Sequence, residues 1–150
     1  MIFEIEDILT ILPHRPPMLF LDRVENVRPA ESGLGRKSVA WSGLKAGQSL
    51  SSFPRTFILE MLAQTAGVVC AAARSESNLA GDFGFLASID ASFHTPVRPQ
   101  DPLQAEVTIS RIWSGLIMFQ GTVRAAGSLA AQARMSISAP STRAQDRRSP

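Results

Sequence analysis

The middle of the chain, residues 56–74, reads TFILEMLAQTAGVVCAAAR and is apolar on nearly every side of a helical wheel. A helix with this pattern has to be buried, because none of its faces favours water. Its second half is rich in alanine and contains a glycine, and such small residues let other backbone segments approach closely. The segment therefore predicts one long central helix that the rest of the chain covers.

Ahead of this helix the sequence predicts a short helix and two strands. Apolar residues recur with helical spacing at Ile5, Ile8, Leu9 and Leu12. Pro13 then ends the short helix, because proline cannot continue it. Further along we expect a buried strand at 18–24, a turn at 32–35, a second strand at 36–41 and a loop at 44–53.

The second half of the chain changes to a period of two, which is typical of strands. After a loop at 75–82, a strand over 85–97 is followed by a meander with hairpin turns expected at 114–115 and 125–128. Neither a strand-helix-strand alternation nor a Gly-x-Gly-x-x-Gly motif occurs, which argues against a nucleotide-binding parallel sheet. These features predict an α+β fold in which an antiparallel sheet wraps around the central helix.

Length and composition are those of one domain. The chain has 150 residues, 45% of them hydrophobic, which is enough for a single core. We expect residues 1–139 to form this domain and the polar, arginine-rich residues 140–150 to be a disordered tail. The acidic start argues against a signal peptide, and no apolar run is long enough to span a membrane. With a single cysteine, Cys70, these features favour the cytoplasm.

The charge pattern gives no sign of a nucleic-acid partner. The formal net charge is only +2, and part of the positive charge lies in the terminal arginines. Nucleic-acid binding usually needs a basic face with aromatic residues among the basic ones. No such cluster occurs in this sequence, so a nucleic-acid function is not expected.

One carboxylate interrupts the apolar helix: Glu60, followed one turn later by Gln64. Residues four apart share a helix face, so the two side chains can meet. Burying a carboxylate is costly unless it is paired or has a chemical use. Two interpretations stay open. Either Glu60 pairs with a neighbouring strand, or it is a largely buried general acid or base with a raised pKa, oriented by Gln64.

The other reactive side chains form no recognisable catalytic pattern. His14 lies between a helix end and a strand, where we expect a capping or hydrogen-bonding role, and His94 lies near a strand end, where it can touch a substrate. Cys70 is expected to be a small core residue. Because metal-ligand spacing and a Gly-x-Ser-x-Gly motif do not occur, we expect no metal, no other cofactor and no serine-hydrolase chemistry.

Three segments of the chain resemble one family. Residues 12–24, LPHRPPMLFLDRV, are similar to the N-terminal signature of the bacterial 3-hydroxyacyl-[acyl-carrier-protein] dehydratases of the FabZ type. Residues 59–64, LEMLAQ, resemble the motif of that family's central helix, and residues 89–99, IDASFHTPVRP, resemble a later strand. The three segments occur in the family's order, and the resemblance extends over roughly residues 5–138.

The resemblance implies a hotdog fold that forms homodimers, often trimers of dimers. It implies a 3-hydroxyacyl chain, carried by acyl carrier protein or CoA, in a tunnel beside the central helix, as in fatty-acid or related acyl-chain biosynthesis. It assigns Glu60 as the acidic half of a His/Glu pair drawn from two subunits. Gln64 and His94 are the further candidate catalytic residues. The candidate substrate-binding residues are Pro54, Arg55, Phe85, Phe93 and Arg98, the last as a contact for the carrier's acidic surface or phosphopantetheine phosphate.

The chain departs from the family where the catalytic histidine is expected. In the family that histidine precedes the helix in a His-Phe-Pro segment. Its position falls here on Ala46 without gaps, or on Ser52 if Phe53-Pro54 is aligned with the Phe-Pro of the segment. The family's Pro-Gly at the helix start is Pro54-Arg55 here, and the arginine side chain can crowd the thioester site.

Three functions therefore stay open. A dehydratase-like hydro-lyase needs a base for the α-proton and an acid for the β-hydroxyl, so the lost histidine has to be compensated. An intact dehydratase in a heteromer can supply one. A thioesterase needs only one carboxylate and an oxyanion-binding N–H. A non-catalytic acyl-binding or partner subunit needs neither. We favour the dehydratase-like protein, with its catalytic activity left open.

Overall fold

The computed structural model describes residues 1–39, 52–74 and 84–138. Within them one long helix lies against a single antiparallel sheet with the strand order β1-β2-β4-β5-β6-β3. The elements are α1 Ile5–Ile11, β1 Arg23–Arg28, β2 Ser32–Lys37, α2 Arg55–Ala71, β3 Phe85–Phe93, β4 Leu103–Trp113, β5 Leu116–Ala125 and β6 Ser128–Ser138. The predicted α+β class, with a sheet around one central helix, is confirmed.

Glycines in the sheet let the strands lie directly on α2. A Cβ at Gly121 would lie 2.6 Å from a backbone oxygen of β4 and 2.7 Å from Cδ2 of Leu62. A Cβ at Gly35 would collide with the Thr65 hydroxyl. Real side-chain atoms do not approach this closely, so only glycine fits at these two positions. The small residues of the helix and the bare backbone of the sheet together produce the close packing.

Two sequence predictions ahead of α2 are wrong. The turn expected at 32–35 is the first part of β2, and the glycines that suggested a turn are buried strand residues facing α2. The buried strand expected at 18–24 overlaps β1 only at its end, because β1 spans Arg23–Arg28. Residues 19–21 are buried as expected, but backbone groups of this segment bond to a helix side chain instead of a strand.

The other predictions hold in part for the described residues. The strand expected at 36–41 coincides with β2 only at 36–37, and the strand expected at 85–97 ends at Phe93. α1 ends before Pro13, and α2 covers most of the expected helix, ending at Ala71 instead of at 74. Both hairpin turns are confirmed: Ser114 and Gly115, and Ala126 and Gly127, have the positive φ angles of tight turns. Most of the predicted loops at 44–53 and 75–82, and the predicted tail at 140–150, lie outside the described residues. None of the helices in the described part of the chain is long and apolar enough to cross a membrane.

Candidate active site

A cavity of about 480 Å³ runs beside α2. The helix lines it with a stripe of mostly small residues spaced three and four apart, so that one face of α2 forms one wall. The sheet supplies apolar side chains opposite: Leu86, Ile89, Ile117, Met135 and Ile137. The space is therefore suited to an apolar chain that lies along the helix.

Glu60 and His14 meet at one end of this stripe. The Nε2 atom of His14 lies 3.0 Å from Oε1 of Glu60, and the Nε2 of Gln64 donates a hydrogen bond of 3.0 Å to the same oxygen. Glu60 and His14 both line the cavity. The predicted contact between Glu60 and Gln64 is therefore present, and His14 joins it from the loop between α1 and β1.

The environment of Glu60 corrects two expectations. Its side chain is 34% exposed, so it is only partly buried. The hydrogen bond from His14 lowers the pKa of the Glu60 carboxyl, and this effect, with the bond from Gln64, outweighs the opposing effect of burial. The raised pKa expected from an apolar helix is wrong, because two donors favour the charged form more than the lost solvent disfavours it. Glu60 is accordingly a carboxylate at neutral pH.

Gln64 fixes the loop from the helix side. It is 2% exposed, its Oε1 accepts the N–H of Phe20 at 2.9 Å, and its Nε2 donates to the carbonyl of Met18 at 2.9 Å as well as to Glu60. One amide thus satisfies two backbone groups that have no strand partner. Gln64 therefore holds this loop in place and also contacts Glu60.

Arg15 fixes the same loop from the other side. Its guanidinium donates to the carbonyls of Leu9, Leu12 and His14 at 2.8 to 3.0 Å. These carbonyls lie at the end of α1 and just after it, where helical partners are missing. The backbone on both sides of His14 is therefore held in place.

The candidate substrate-binding residues lie around the start of α2 and along β3. Pro54 precedes α2 and Arg55 begins it, and the Arg55 guanidinium stacks over the Phe93 ring at 5.0 Å from its centre. Phe85 is 75% exposed at the start of β3. Arg98 forms an ion pair of 3.2 Å with Asp101 in the following turn. Their roles toward a substrate stay predictions.

The two histidines lie in different surroundings. His94 is exposed just after β3 and does not line the cavity, whereas His14 does. Of the two positions considered for the missing histidine, Ser52 is exposed next to the buried Phe53, and Ala46 lies outside the described residues. His14 was expected to form a hydrogen bond, but nothing in the sequence pattern named Glu60 as its partner. Within this chain it is His14 that supplies an imidazole to Glu60.

Two other features of the cavity bear on chemistry. Cys70 lines it, and burial raises the pKa of the thiol to about 11, so the thiol is protonated and unreactive at neutral pH. Within the described ranges, no three His, Cys, Asp or Glu side chains are grouped so that they could hold a metal ion. Among the described residues that line the cavity, Glu60 and His14 are thus the groups suited to proton transfer at neutral pH, and Arg74 adds a positive charge.

Comparison with known proteins identifies the family. The sequence profile of the ApeP-like family, described as ApeP dehydratase, matches residues 6–147. The chain belongs to this family. It is 37% identical over 136 residues to the 3-hydroxyacyl-[acyl-carrier-protein] dehydratase FabZ of Caulobacter sp. (strain K31), covering 87% of this chain and 82% of that one. The FabZ of Syntrophotalea carbinolica is 33% identical over 140 residues, covering 90% and 93%.

Solved structures confirm the fold. The dehydratase heterocomplex ApeI:P from Xenorhabdus doucetiae matches with a TM-score of 0.75 at 21% identity, covering 93% of this chain and 94% of that one. A hypothetical thioesterase with coenzyme A from Streptococcus pneumoniae TIGR4 matches with a TM-score of 0.58 at 11% identity, covering 78% and 84%. At these identities the likeness shows the fold alone. This member of the ApeP-like family is a dehydratase-like hotdog protein.

Proposed function

We propose that this ApeP-like protein dehydrates 3-hydroxyacyl thioesters bound to acyl carrier protein, with CoA thioesters as a second carrier class. The observation that carries the proposal is a carboxylate, Glu60, placed at an apolar cavity that can hold an acyl chain. The FabZ relatives, which are named for this substrate class, support it. We place the reaction in fatty-acid or related acyl-chain biosynthesis in the cytoplasm.

The chemistry follows from the charge state of Glu60. As a carboxylate it accepts the proton from the α-carbon of the substrate, and the carbonyl oxygen of the thioester takes up the negative charge. The enolate electrons then form the Cα=Cβ double bond as the Cβ–O bond breaks. The β-hydroxyl leaves as water with the proton that Glu60 returns to it, and Glu60 is a carboxylate again. One proton is taken and returned, so no net change remains on the protein.

The start of α2 supplies the charge stabilisation that this step needs. The first N–H groups of a helix lack intrahelical partners and carry partial positive charge. Pro54 gives them no side-chain cap, so the backbone N–H of Arg55 is a donor for the thioester oxygen. The Arg55 side chain is stacked on Phe93, which draws it toward β3. Held by this contact, the Arg55 side chain does not crowd the thioester site as an arginine at this position was expected to do.

The carrier is proposed to approach over the same end of the site. Pro54 and Arg55 lie at the start of α2, Arg55 contacts Phe93 at the end of β3, and the exposed Phe85 begins β3; these residues do not themselves line the cavity. Arg98 and His94 follow β3 and are exposed, which suits contact with an acidic carrier or its phosphopantetheine phosphate. His94 is thereby proposed as a docking residue.

The proposal is tested by incubating the purified protein with 3-hydroxyacyl-acyl carrier proteins of several chain lengths. We expect the acylated carrier to lose the mass of one water, which mass spectrometry of the intact carrier measures. Release of free carrier thiol would instead favour a thioesterase. Tight carrier binding without water loss, alone or mixed with an intact dehydratase, would favour a non-catalytic partner subunit.

The edge strand β3 supports a proposed dimer. Among the described strands, β3 lies at the end of the sheet and pairs with β6 alone, and residues 85–90 are all exposed. A long exposed strand with apolar side chains at an edge is usually covered by another chain. A copy of this chain is the simplest partner, and a trimer of such dimers is compatible with it. The fold shared with a dehydratase heterocomplex supports a second dehydratase chain as an alternative partner.

We expect sedimentation at micromolar concentration to give a dimer or a multiple of it. Ile89→Lys places a charge in the middle of β3 and should shift the protein toward monomer, because a lysine on an edge strand opposes pairing. Thr108→Lys, on an exposed position of the central strand β4, is the matched control and should sediment as wild type. A wild-type protein that sediments as a clean monomer would contradict the proposed homodimer.

A further inference from the structure

The imidazole of His14 has one bonded and one unbonded nitrogen. Its Nε2 lies 3.0 Å from Oε1 of Glu60, and its Nδ1 is a buried atom without a hydrogen-bond partner among the described residues. A proton on Nδ1 would need an acceptor there, and a buried N–H without one is unfavourable. The geometry therefore places a proton on Nε2, donated to Glu60.

Both hydrogen-bond donors to Glu60 bind the same carboxylate oxygen. His14 and Gln64 both bond to Oε1, and within the described residues no hydrogen bond reaches Oε2. Since Glu60 lines the cavity, Oε2 is the oxygen left for a ligand. A carboxylate held through one oxygen keeps the other available in a defined orientation.

We infer that His14 is the positioning residue of Glu60: its Nε2–H holds Oε1 so that Oε2 accepts the α-proton of the thioester. The inference rests on the proposed function for its catalytic meaning, and the pair itself is independent of it. The imidazole comes from the same chain, on a different segment from the one that carries the family's catalytic histidine. The carboxylate is then oriented without an imidazole borrowed from a partner subunit.

The assignment of His14 as positioning residue, and not as proton donor, follows from the burial of its Nδ1 atom. An imidazole that gave up its Nε2 proton would have to carry one on Nδ1, and that atom reaches neither solvent nor a described donor or acceptor. Glu60 alone can take and return the proton. His14 then acts by keeping the carboxylate in place and ionised.

Few charged groups of the described residues lie near Glu60, and Arg74, which also lines the cavity, follows α2 fourteen residues after Glu60. From the loop, His14 faces it, while the Arg15 guanidinium is turned to the carbonyls of Leu9, Leu12 and His14. From α2, the neutral Gln64 faces it, and the nearest cation on that helix, Arg55, stacks over Phe93 on β3. The described sheet side chains that line the cavity are apolar. The ionisation of Glu60 should therefore respond mainly to His14.

Three substitutions test the inference on the intact protein. His14→Gln keeps an N–H donor at about the place of Nε2, His14→Leu removes every donor, and His14→Asn keeps a polar side chain that is too short to reach Glu60. The titration of the Glu60 carboxyl is followed by carbon-13 NMR, with its resonance identified by its loss in Glu60→Gln. The same proteins are assayed for kcat/KM against pH with a 3-hydroxyacyl-acyl carrier protein.

The expected sign follows from the lowered pKa of Glu60. Without the His14 donor, the pKa rises, so the midpoint of the NMR titration and the acid limb of kcat/KM both move to higher pH. His14→Leu and His14→Asn should show this shift and a loss of kcat/KM of up to about 10²-fold, as expected for a misplaced catalytic group. His14→Gln should restore both toward wild type. Melting temperatures show whether each variant is folded.

Each outcome separates the inference from the proposed function. An unchanged Glu60 titration in folded His14→Leu and His14→Asn would overturn the inference. So would a His14→Gln variant as inactive as His14→Leu, because the imidazole itself would then transfer the proton. If the titration shifts as expected but wild type turns over no acyl thioester, the pair stands and the proposed dehydration is wrong.

Discussion

Replacing Glu60 with glutamine should lower kcat/KM for dehydration of a 3-hydroxyacyl thioester by roughly 10²–10⁴-fold, the usual contribution of a positioned acid or base. Glutamine has almost the same volume and can still accept a hydrogen bond from His14 and Gln64 through its amide oxygen. It cannot accept the α-proton, so the effect falls on the chemical step. The measurement is kcat and KM separately, with kcat expected to carry the loss.

Glu106→Gln is the matched control for this experiment. Glu106 is exposed on β4 and does not line the cavity, so the same change of charge there should leave kcat/KM at the wild-type value. A Glu60→Gln protein that dehydrates its substrate as fast as the control would show that Glu60 is only structural. In wild type, kcat/KM should fall toward low pH as Glu60 is protonated, and the lowered pKa places that fall below the usual range of a glutamate.

The central helix and the meander could be predicted because both depend on local pattern. An apolar face on every side of residues 56–74 required burial, and the alternation in 103–109 required strands with one buried face. Hairpin turns were visible for the same reason: the positive φ angles at Gly115 and Gly127 are a property of the residues in the turn. These features do not depend on what packs against them.

The predictions failed where contacts between residues far apart in the sequence determine the local structure. Gly33 and Gly35 have the composition of a turn, but they are strand residues whose missing side chains make room for Val69 and Thr65 of α2. Residues 18–22 have the composition of a strand, but the amide of Gln64 takes the place of a strand partner for Phe20 and Met18. Periodicity cannot show either contact, because it contains no information about a helix that comes 30 to 46 residues later.

The sequence predicted which residue supplies the carboxylate of the site, but it did not predict the charge state of that carboxylate. Glu60 and Gln64 stand out as the polar pair in an apolar helix, and their contact follows from their spacing. The direction of the pKa shift depends on His14, which lies 46 residues earlier in a proline-rich loop without periodicity. A hydrogen-bond donor that far away in the sequence reverses the effect that burial alone would have on the pKa of Glu60.

Gly67→Leu should block long acyl substrates and spare short ones. Gly67 lines the cavity seven residues after Glu60 on the same helix, which corresponds to about 10 Å along the axis. Among the described residues, a Cβ at this position would meet Leu12 Cδ2 alone, at 3.2 Å, so a larger side chain has to extend into the cavity. A crotonyl or 3-hydroxybutyryl chain ends well before that point, and a long acyl chain has to pass it.

We expect kcat/KM for a long-chain 3-hydroxyacyl thioester to fall by about 10²-fold in Gly67→Leu, mainly through KM, with the short-chain value within a few-fold of wild type. Gly67→Ala is the graded control. It adds one methyl group, and Leu12 has to give way by a few tenths of an ångström to admit it. The better helix propensity of alanine, about 1 kcal/mol, offsets that shift, so the melting temperature should stay near the wild-type value while long chains are still accepted. If Gly67→Leu is folded and handles long chains as well as Gly67→Ala does, the acyl chain lies elsewhere. Loss of both chain lengths together would instead mean that the leucine disturbs Glu60, since only an effect on the reacting end is shared by all substrates.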